Sequence, residues 1–305
     1  MAYKQRTVPM ELLILRILDV RGKLSLAEHK YYVNKEKGFK GEVQFDLLTE
    51  KLQSDCLILN DLLLEVDNST FQLDTTIIYQ DLIYPFEVKN YESDFIYKPD
   101  MLVTTSGMEY KNPLDQLNRS KFLLSQLLQK LGYHLVIEGS VVFINPEFTL
   151  YQAPPNVPFI FPTQLNRLMK KLNALPSKLT NRHRKLADKL VSLHQTKSNY
   201  TKLPPYKYDG LRKGNTCAVC RSFKVTVPAD ERKIVCACGH VERIEDAILR
   251  NVKEIQLLFP EKKITTNCVH EWCGGIVSQK VIKRILKQSF EQKGKKKHTY
   301  YEELT

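Results

Sequence analysis

Three closely spaced apolar runs, CLILNDLLLEV (56–66), FQLDTTIIY (71–79) and LIYPFEVKNY (82–91), constrain this chain most. Each is rich in Leu, Ile, Val and aromatic residues, is broken by polar positions, and is joined to the next by only a few residues. Runs of this kind read as adjacent strands, which predicts an antiparallel meander. The meander carries Asp74, Glu87 and Lys89 inside its apolar stretches, where charge is expensive unless it is paired or put to use. Residues two apart on a strand share a face, so Glu87 and Lys89 point the same way while Val88 packs behind them. If Asp74 comes from the neighbouring strand, its carboxylate and that of Glu87 can converge on one hard divalent cation, magnesium or manganese, with Lys89 beside it. The plain alternative is an ion pair between Asp74 and Lys89 on a partly exposed face.

Around the meander the sequence is helical. SLAEHKYYVNKEKGFKGEVQFDLLTEKL carries a stripe of Phe45, Leu48 and Leu52 with Glu42 at its edge. NPLDQLNRSKFLLSQLLQKLG has Asn112 as N-cap, Pro113 at the first helical position and Gly132 as its stop. YHLVIEGSVVFIN then returns to strands.

In order, the GE of Gly41 and Glu42, the QLD of Gln72 to Asp74, the FEVKN of Phe86 to Asn90 and the NPLDQ of Asn112 to Gln116 resemble the nuclease-related domain (NERD). That family belongs to the restriction-endonuclease-like PD-(D/E)xK superfamily. The resemblance covers about residues 35 to 150 and implies an α/β fold, a mixed sheet flanked by helices. It implies a metal-dependent nuclease hydrolysing phosphodiester bonds, with Asp74 and Glu87 as ligands for Mg2+ or Mn2+ and Lys89 as the catalytic lysine. Glu42 is then a helix-borne carboxylate, and Gln116 completes the site.

The rest of the chain differs in charge. Residues 1–150 hold 16 Lys and Arg against 21 Asp and Glu, whereas the remaining 155 hold 30 against 13, and the whole chain carries +12. A half so basic suits a polyanion, although lysine-rich helices can also be merely solvated. After the proline-rich YQAPPNVPFIFP, residues 163–198 read as basic helices, either a linker or an arm facing DNA.

Next come Cys217 and Cys220, spaced C-x-x-C, and Cys236 and Cys238, spaced C-x-C, with fifteen residues between the pairs that can form a hairpin. Four thiolates suit a closed, tetrahedral structural zinc, and the segment resembles a zinc ribbon. His240 is an alternative fourth ligand. Cys268 and Cys273 read as small core thiols and Trp272 as core, while Cys56, in an apolar strand, reads as inert.

The following segment predicts three helices, the last two separated by Gly274 and Gly275. In the final one Ile282, Ile285 and Leu286 point inward, leaving Lys280, Lys283, Arg284 and Lys287 on the polar side. This is the pattern of a helix-turn-helix whose last helix enters the major groove, or of a small helical cap with a solvated basic face. A lysine-rich tail follows.

The expected organisation is an N-terminal helical segment (1–34), the nuclease-related domain (35–152), a basic helical linker (153–210), a zinc-ribbon-like module (211–241) and a helix-turn-helix-like module with a basic tail (242–305). DNA is the expected partner, with RNA as the alternative polyanion. A non-catalytic DNA-binding or regulatory protein that keeps the nuclease fold is the rival to an enzyme. The chain lacks an apolar run of the ~18 residues that would cross a bilayer, and its start lacks a small-residue cleavage site, so a cytoplasmic protein with no membrane partner is expected.

Overall fold

The computed structural model describes residues 1–196, 202–228 and 232–304. The end of the basic 163–198 segment and residues 229–231, within the span between the two cysteine pairs, lie outside the described residues. The elements run α1 (Met10–Arg21), α2 (Leu26–Thr49), β1 (Leu57–Val66), β2 (Ser69–Ile78), β3 (Leu82–Lys89), β4 (Ser93–Lys98), β5 (Met101–Thr104), β6 (Glu109–Lys111), α3 (Pro113–Lys130), β7 (Val136–Ile137), β8 (Ser140–Phe143), β9 (Phe148–Tyr151) and β10 (Phe159–Ile160). They continue with α4 (Leu165–Asn173), α5 (Asn181–Ser192), β11 (Val225–Thr226), β12 (Lys233–Cys236), β13 (Val241–Arg243), α6 (Ile244–Leu258), α7 (Thr266–Trp272), α8 (Gln279–Ser289), β14 (Glu291–Lys293) and β15 (Tyr300–Glu302). No helix among the described residues is long and apolar enough to cross a membrane.

Contacts gather the chain into two units, one of Met1–Pro9 with Val33–Thr201 and one of Met10–Tyr32 with Lys202–Thr305. The division differs from the five expected segments. The 1–34 segment is split between the units, and the boundary at residues 32 and 33 falls within α2.

In the first unit the meander is present as expected: β1 pairs β2, and β2 pairs β3, both antiparallel. β8 then lies parallel to β3, and β10 parallel to β8, which makes the sheet mixed, in the order β1-β2-β3-β8-β10 with β7 also against β3. A second sheet runs β6-β5-β4-β9. Alternation along each strand sends Leu62, Leu64, Phe71 and Leu73 into one apolar layer with α3 and α5. Ile77, Phe86, Val88 and Val142 go into another with Phe45 of α2 and Leu168 and Leu172 of α4. The helix α3 begins as its sequence predicts, with the Asn112 side chain accepting from the Leu114 N–H, and Gly132 beyond its end takes the left-handed conformation at φ 74°.

The basic segment is not a free linker. In α4, Leu168 and Leu172 are spaced i, i+4 and buried, and in α5 Leu186, Ala187 and Leu190 are fully buried. Each helix therefore has an apolar stripe that closes the sheet, while Arg167, Lys170, Lys171, Arg184, Lys185 and Lys189 remain exposed on its other side.

The second unit packs α1, α6, α7 and α8 around Leu18, Ile248, Val252, Ile255, Trp272, Ile282 and Leu286. The three helices expected after the cysteines are present, and Gly274 and Gly275 at φ 68° and 71° make the turn between the last two. Cys268, Cys273 and Trp272 are buried in this core, as expected. The lysine-rich tail departs from expectation. It forms the hairpin β14–β15, because Tyr301 is buried and bridges to Ile264. A buried Arg21, which the sequence does not announce, binds the Asn251 amide at 2.9 Å and the Glu254 carboxylate at 2.7 Å.

Candidate active site and candidate metal centre

Asp74 occupies a gap in the sheet. On one side the β1–β2 ladder runs from Asn60↔Thr75 to Leu62↔Leu73 and skips the rung between Asp61 and Asp74, with Asp61 in the left-handed region at φ 54°. On the other side the β2–β3 ladder ends at Thr75↔Phe86. The backbone groups released there find other partners: the Val88 N–H donates to Asp74 Oδ2 at 2.8 Å, and the Asp74 carbonyl accepts from Arg6 Nη2 at 2.6 Å. Opening the ladder at this point is what turns a strand pair into the floor of a cleft.

The cleft has a volume of about 390 Å3. All five residues expected in the first site line it: Glu42, Asp74, Glu87, Lys89 and Gln116, joined by Gln72 and Tyr91. Glu87 and Lys89 share a face as the strand period requires, and Lys89 Nζ lies 2.6 Å from Glu87 Oε1 and donates to Gln116 Oε1 at 3.1 Å. Lys89 thus pairs with Glu87 and not, as in the plain alternative, with Asp74. Glu42 comes from α2, which approaches β3 closely because Gly41 has no side chain. A Cβ there would stand 2.5 Å from that of Asn90, whose amide donates to the Lys37 carbonyl at 2.8 Å.

Sequence reasoning missed Arg6 and Asp46. Arg6 binds Glu42 Oε2 through Nη1 at 2.6 Å and Asp46 Oδ2 through Nε at 2.7 Å. Its contacts span tens of residues, and no local pattern announces them.

The electrostatics follow from burial. Burial, reinforced by the charge on Asp74, pushes the Glu87 carboxyl up to about 8, against the pull of Lys89. Burial and Asp74 likewise push Glu42 up to about 8, opposed by Arg6. Asp74 is raised by burial too, although Lys89, the Val88 N–H and Arg6 counter it. Burial alone would depress Lys89, but Glu87, Tyr91 and Asp74 more than reverse this and hold its ammonium above the ordinary lysine value. Carboxyls buried beside one another are poor as bare anions, and a cation relieves them. Two oxygen donors, Asp74 and Glu87, with room for water, suit a small hard cation such as magnesium or manganese.

The second centre is in the other unit. The sulfurs of Cys217, Cys220, Cys236 and Cys238 all lie within 4.8 Å of one another. Cys217 Sγ is 3.7 Å from Cys238 Sγ, and Cys220 Sγ is 3.5 Å from Cys236 Sγ. A tetrahedron of sulfurs at ~2.3 Å from zinc has edges of about 3.8 Å, a spacing with which the cluster is compatible. His240 does not belong to the cluster; its carbonyl accepts from the Cys236 N–H at 2.9 Å. Two tight turns shape the pocket, with the Arg221 N–H on the Cys217 carbonyl and the Gly239 N–H on the Cys236 carbonyl, at φ 58° and 88° for Arg221 and Gly239. Burial raises the Cys217 thiol, but the N–H groups of Cys220 and Val219 outweigh it and hold the thiol at about 6, whereas Cys236, despite the Cys238 N–H, is pushed up to about 12 by burial and the neighbouring thiols, so the cluster favours the thiolate at Cys217 first.

On α8, Lys280, Lys283, Arg284 and Lys287 are exposed, opposite the buried Ile282, Ile285 and Leu286.

Neither a curated protein nor a solved structure matches this chain. Residues 37–144 match the family model of the Nuclease-related domain, a span that includes all five cleft residues expected from the sequence and excludes Arg6 and the four cysteines. The match points to a nuclease-like function for this part of the chain and to nucleic acid as its partner.

Proposed function

We propose that this chain is a metal-dependent nuclease that hydrolyses phosphodiester bonds in DNA, with a zinc-stapled second unit that helps to hold the nucleic acid. The carrying observation is that Asp74 and Glu87, from neighbouring strands, meet Lys89 and Gln116 in one cleft. Asp74 and Glu87 would hold Mg2+ or Mn2+, which when bound activates water and neutralises charge developing on the phosphate. Lys89 is positioned by its contacts with Glu87 and Gln116, so its Nζ can donate to a phosphate oxygen as negative charge accumulates there. Glu42, anchored by Arg6, adds a third acidic group at the wall. Cys217, Cys220, Cys236 and Cys238 would hold a structural zinc with no open position for chemistry. The exposed Lys280, Lys283, Arg284 and Lys287 would contact phosphates or base edges in a helix-turn-helix manner. The cleft residues and their order support a restriction-endonuclease-like relationship for the first unit.

The test is cleavage of supercoiled, linear and single-stranded DNA and of RNA by the purified chain, with magnesium, manganese or EDTA. The expected result is metal-dependent cleavage of DNA that Asp74→Asn abolishes. Lys89→Ala should keep the metal and lose rate by roughly 100-fold or more, since a lysine is no ligand. Cleavage confined to RNA would move the substrate, and binding without cleavage under any metal would leave a DNA-binding protein.

A further inference from the structure

The first nine residues of the chain contribute a side chain to the cleft's framework from outside the span that matches the nuclease-related domain. Residues 3 and 4 lie along the free edge of β1: the Tyr3 N–H donates to the Ile58 carbonyl at 2.8 Å, and the Asn60 N–H donates to the Lys4 carbonyl at 3.0 Å. This carries Arg6 inward, where its side chain is 3% exposed. Nε and Nη2 grip Asp46 at 2.7 and 3.1 Å, Nη1 takes Glu42 at 2.6 Å, and Nη2 also donates to the Asp74 carbonyl at 2.6 Å. The last bond satisfies the carbonyl of Asp74, the residue at which the β1–β2 ladder skips a rung. Only a planar fork with several donors spans two carboxylates and a carbonyl in this way; a lysine, as a point charge, would satisfy one or two of them.

We propose that Arg6 is a positioning residue of the active cleft: it ties α2 to β2 at Asp74, and so fixes where the carboxylates of Glu42 and Asp74 stand relative to Glu87. The N-terminal segment is then a working part of the nuclease unit. Without the clamp, Glu42 and Asp46 face Asp74 with no cation between them, and α2 relaxes away from the strand. The Asp74 backbone loses the bond that holds its rung open, and its carboxylate loses its seat on the Val88 N–H. The role of Arg6 rests on the nuclease reading where it concerns metal and rate, but its geometric core does not.

The test uses the full chain with Arg6→Gln and Arg6→Lys, and with Asp46→Asn to loosen the same clamp from the helix side should the arginine variants fail to fold. Three quantities are read: hydrogen exchange at the Val88 amide, Mg2+ affinity by titration, and kcat and KM on DNA. Partners that orient metal ligands from behind typically contribute 10- to 100-fold in affinity or rate. The expected result is therefore selective acceleration of Val88 exchange, Mg2+ affinity about 10-fold weaker, and a fall in kcat with KM moved less than about 3-fold. Arg6→Lys should recover part of each. Unchanged Val88 exchange in a folded Arg6→Gln or Asp46→Asn chain would overturn the proposal. So would acceleration spread evenly over β1, β2 and β3, which is the mark of general destabilisation. If the unaltered chain neither binds Mg2+ nor cleaves, the nuclease reading falls, and Val88 exchange still decides the role of Arg6.

Discussion

Because burial and Asp74 hold the Glu87 carboxyl at about 8, against 4.5 for an ordinary glutamate, a divalent cation using Glu87 as a ligand has to displace a proton throughout the neutral range. At pH 8 about half of Glu87 is ionised, and at pH 6 about one part in a hundred, so one displaced proton raises the apparent Kd for Mg2+ about 50-fold, or about 2 kcal/mol. Burial raises the Asp74 carboxyl as well, against the pull of Lys89, the Val88 N–H and Arg6. The effect on stability has a definite sign. A carboxyl whose folded pKa lies above its unfolded value stabilises the fold fully below the unfolded value and loses that contribution as pH rises through the folded one. Between pH 4.5 and about 8, then, Glu87 progressively weakens the metal-free protein, and Mg2+ should raise the melting temperature more at pH 8 than at pH 6. Calorimetric titration at pH 6, 7 and 8, in two buffers of different ionisation enthalpy, measures both the affinity and the protons released. Equal Kd at pH 6 and pH 8 with no proton release would refute the reasoning, because the cation would then bind somewhere other than at Glu87.

Three further outcomes are expected. The purified chain should carry about one equivalent of zinc, and Cys217→Ser should lose it and loosen β11–β13, visible by metal analysis and by proteolysis of that segment. Replacing Lys280, Lys283 and Lys287 with alanine should leave the circular dichroism unchanged, since all three are exposed, but lower affinity for DNA. The slope of log affinity against log salt should fall by about 0.9 for each phosphate that is no longer neutralised. Leu190→Ala should cost roughly 2–5 kcal/mol in denaturant unfolding, because a fully buried side chain of α5 leaves a cavity against the sheet; an exposed linker helix would lose almost nothing.

The parts legible in the sequence are those governed by local rules. Apolar runs broken by polar residues mark β1 to β3, the strand period puts Glu87 and Lys89 on one face, Asn112, Pro113 and Gly132 mark α3, and the paired cysteines announce their own cluster. Tertiary partners were not legible. Arg6 meets acceptors 36 to 69 residues away, and nothing near it distinguishes it from any other exposed-looking arginine. In α4 and α5 the buried Leu168, Leu172, Leu186 and Leu190 are outnumbered by basic residues, so charge hid two stripes that pack on the sheet. The lysines of the tail do not announce its hairpin, which the buried Tyr301 decides.

The broken rung at Asp74 bears on how such a chain can decay. The Asp74 carboxylate accepts the buried Val88 N–H, and removing the acceptor orphans an amide at a cost of about 1–3 kcal/mol. A chain of this fold that does not cleave would therefore still be under pressure to keep an acceptor at position 74, asparagine serving as well as aspartate. The Lys89 ammonium supports no backbone group among the described residues; its hydrogen-bond and ion-pair partners are the side chains of Glu87 and Gln116. On the proposed nuclease reading, the lysine is thus the sharper marker of cleavage in related chains, and the acid on β2 marks the fold as much as the reaction.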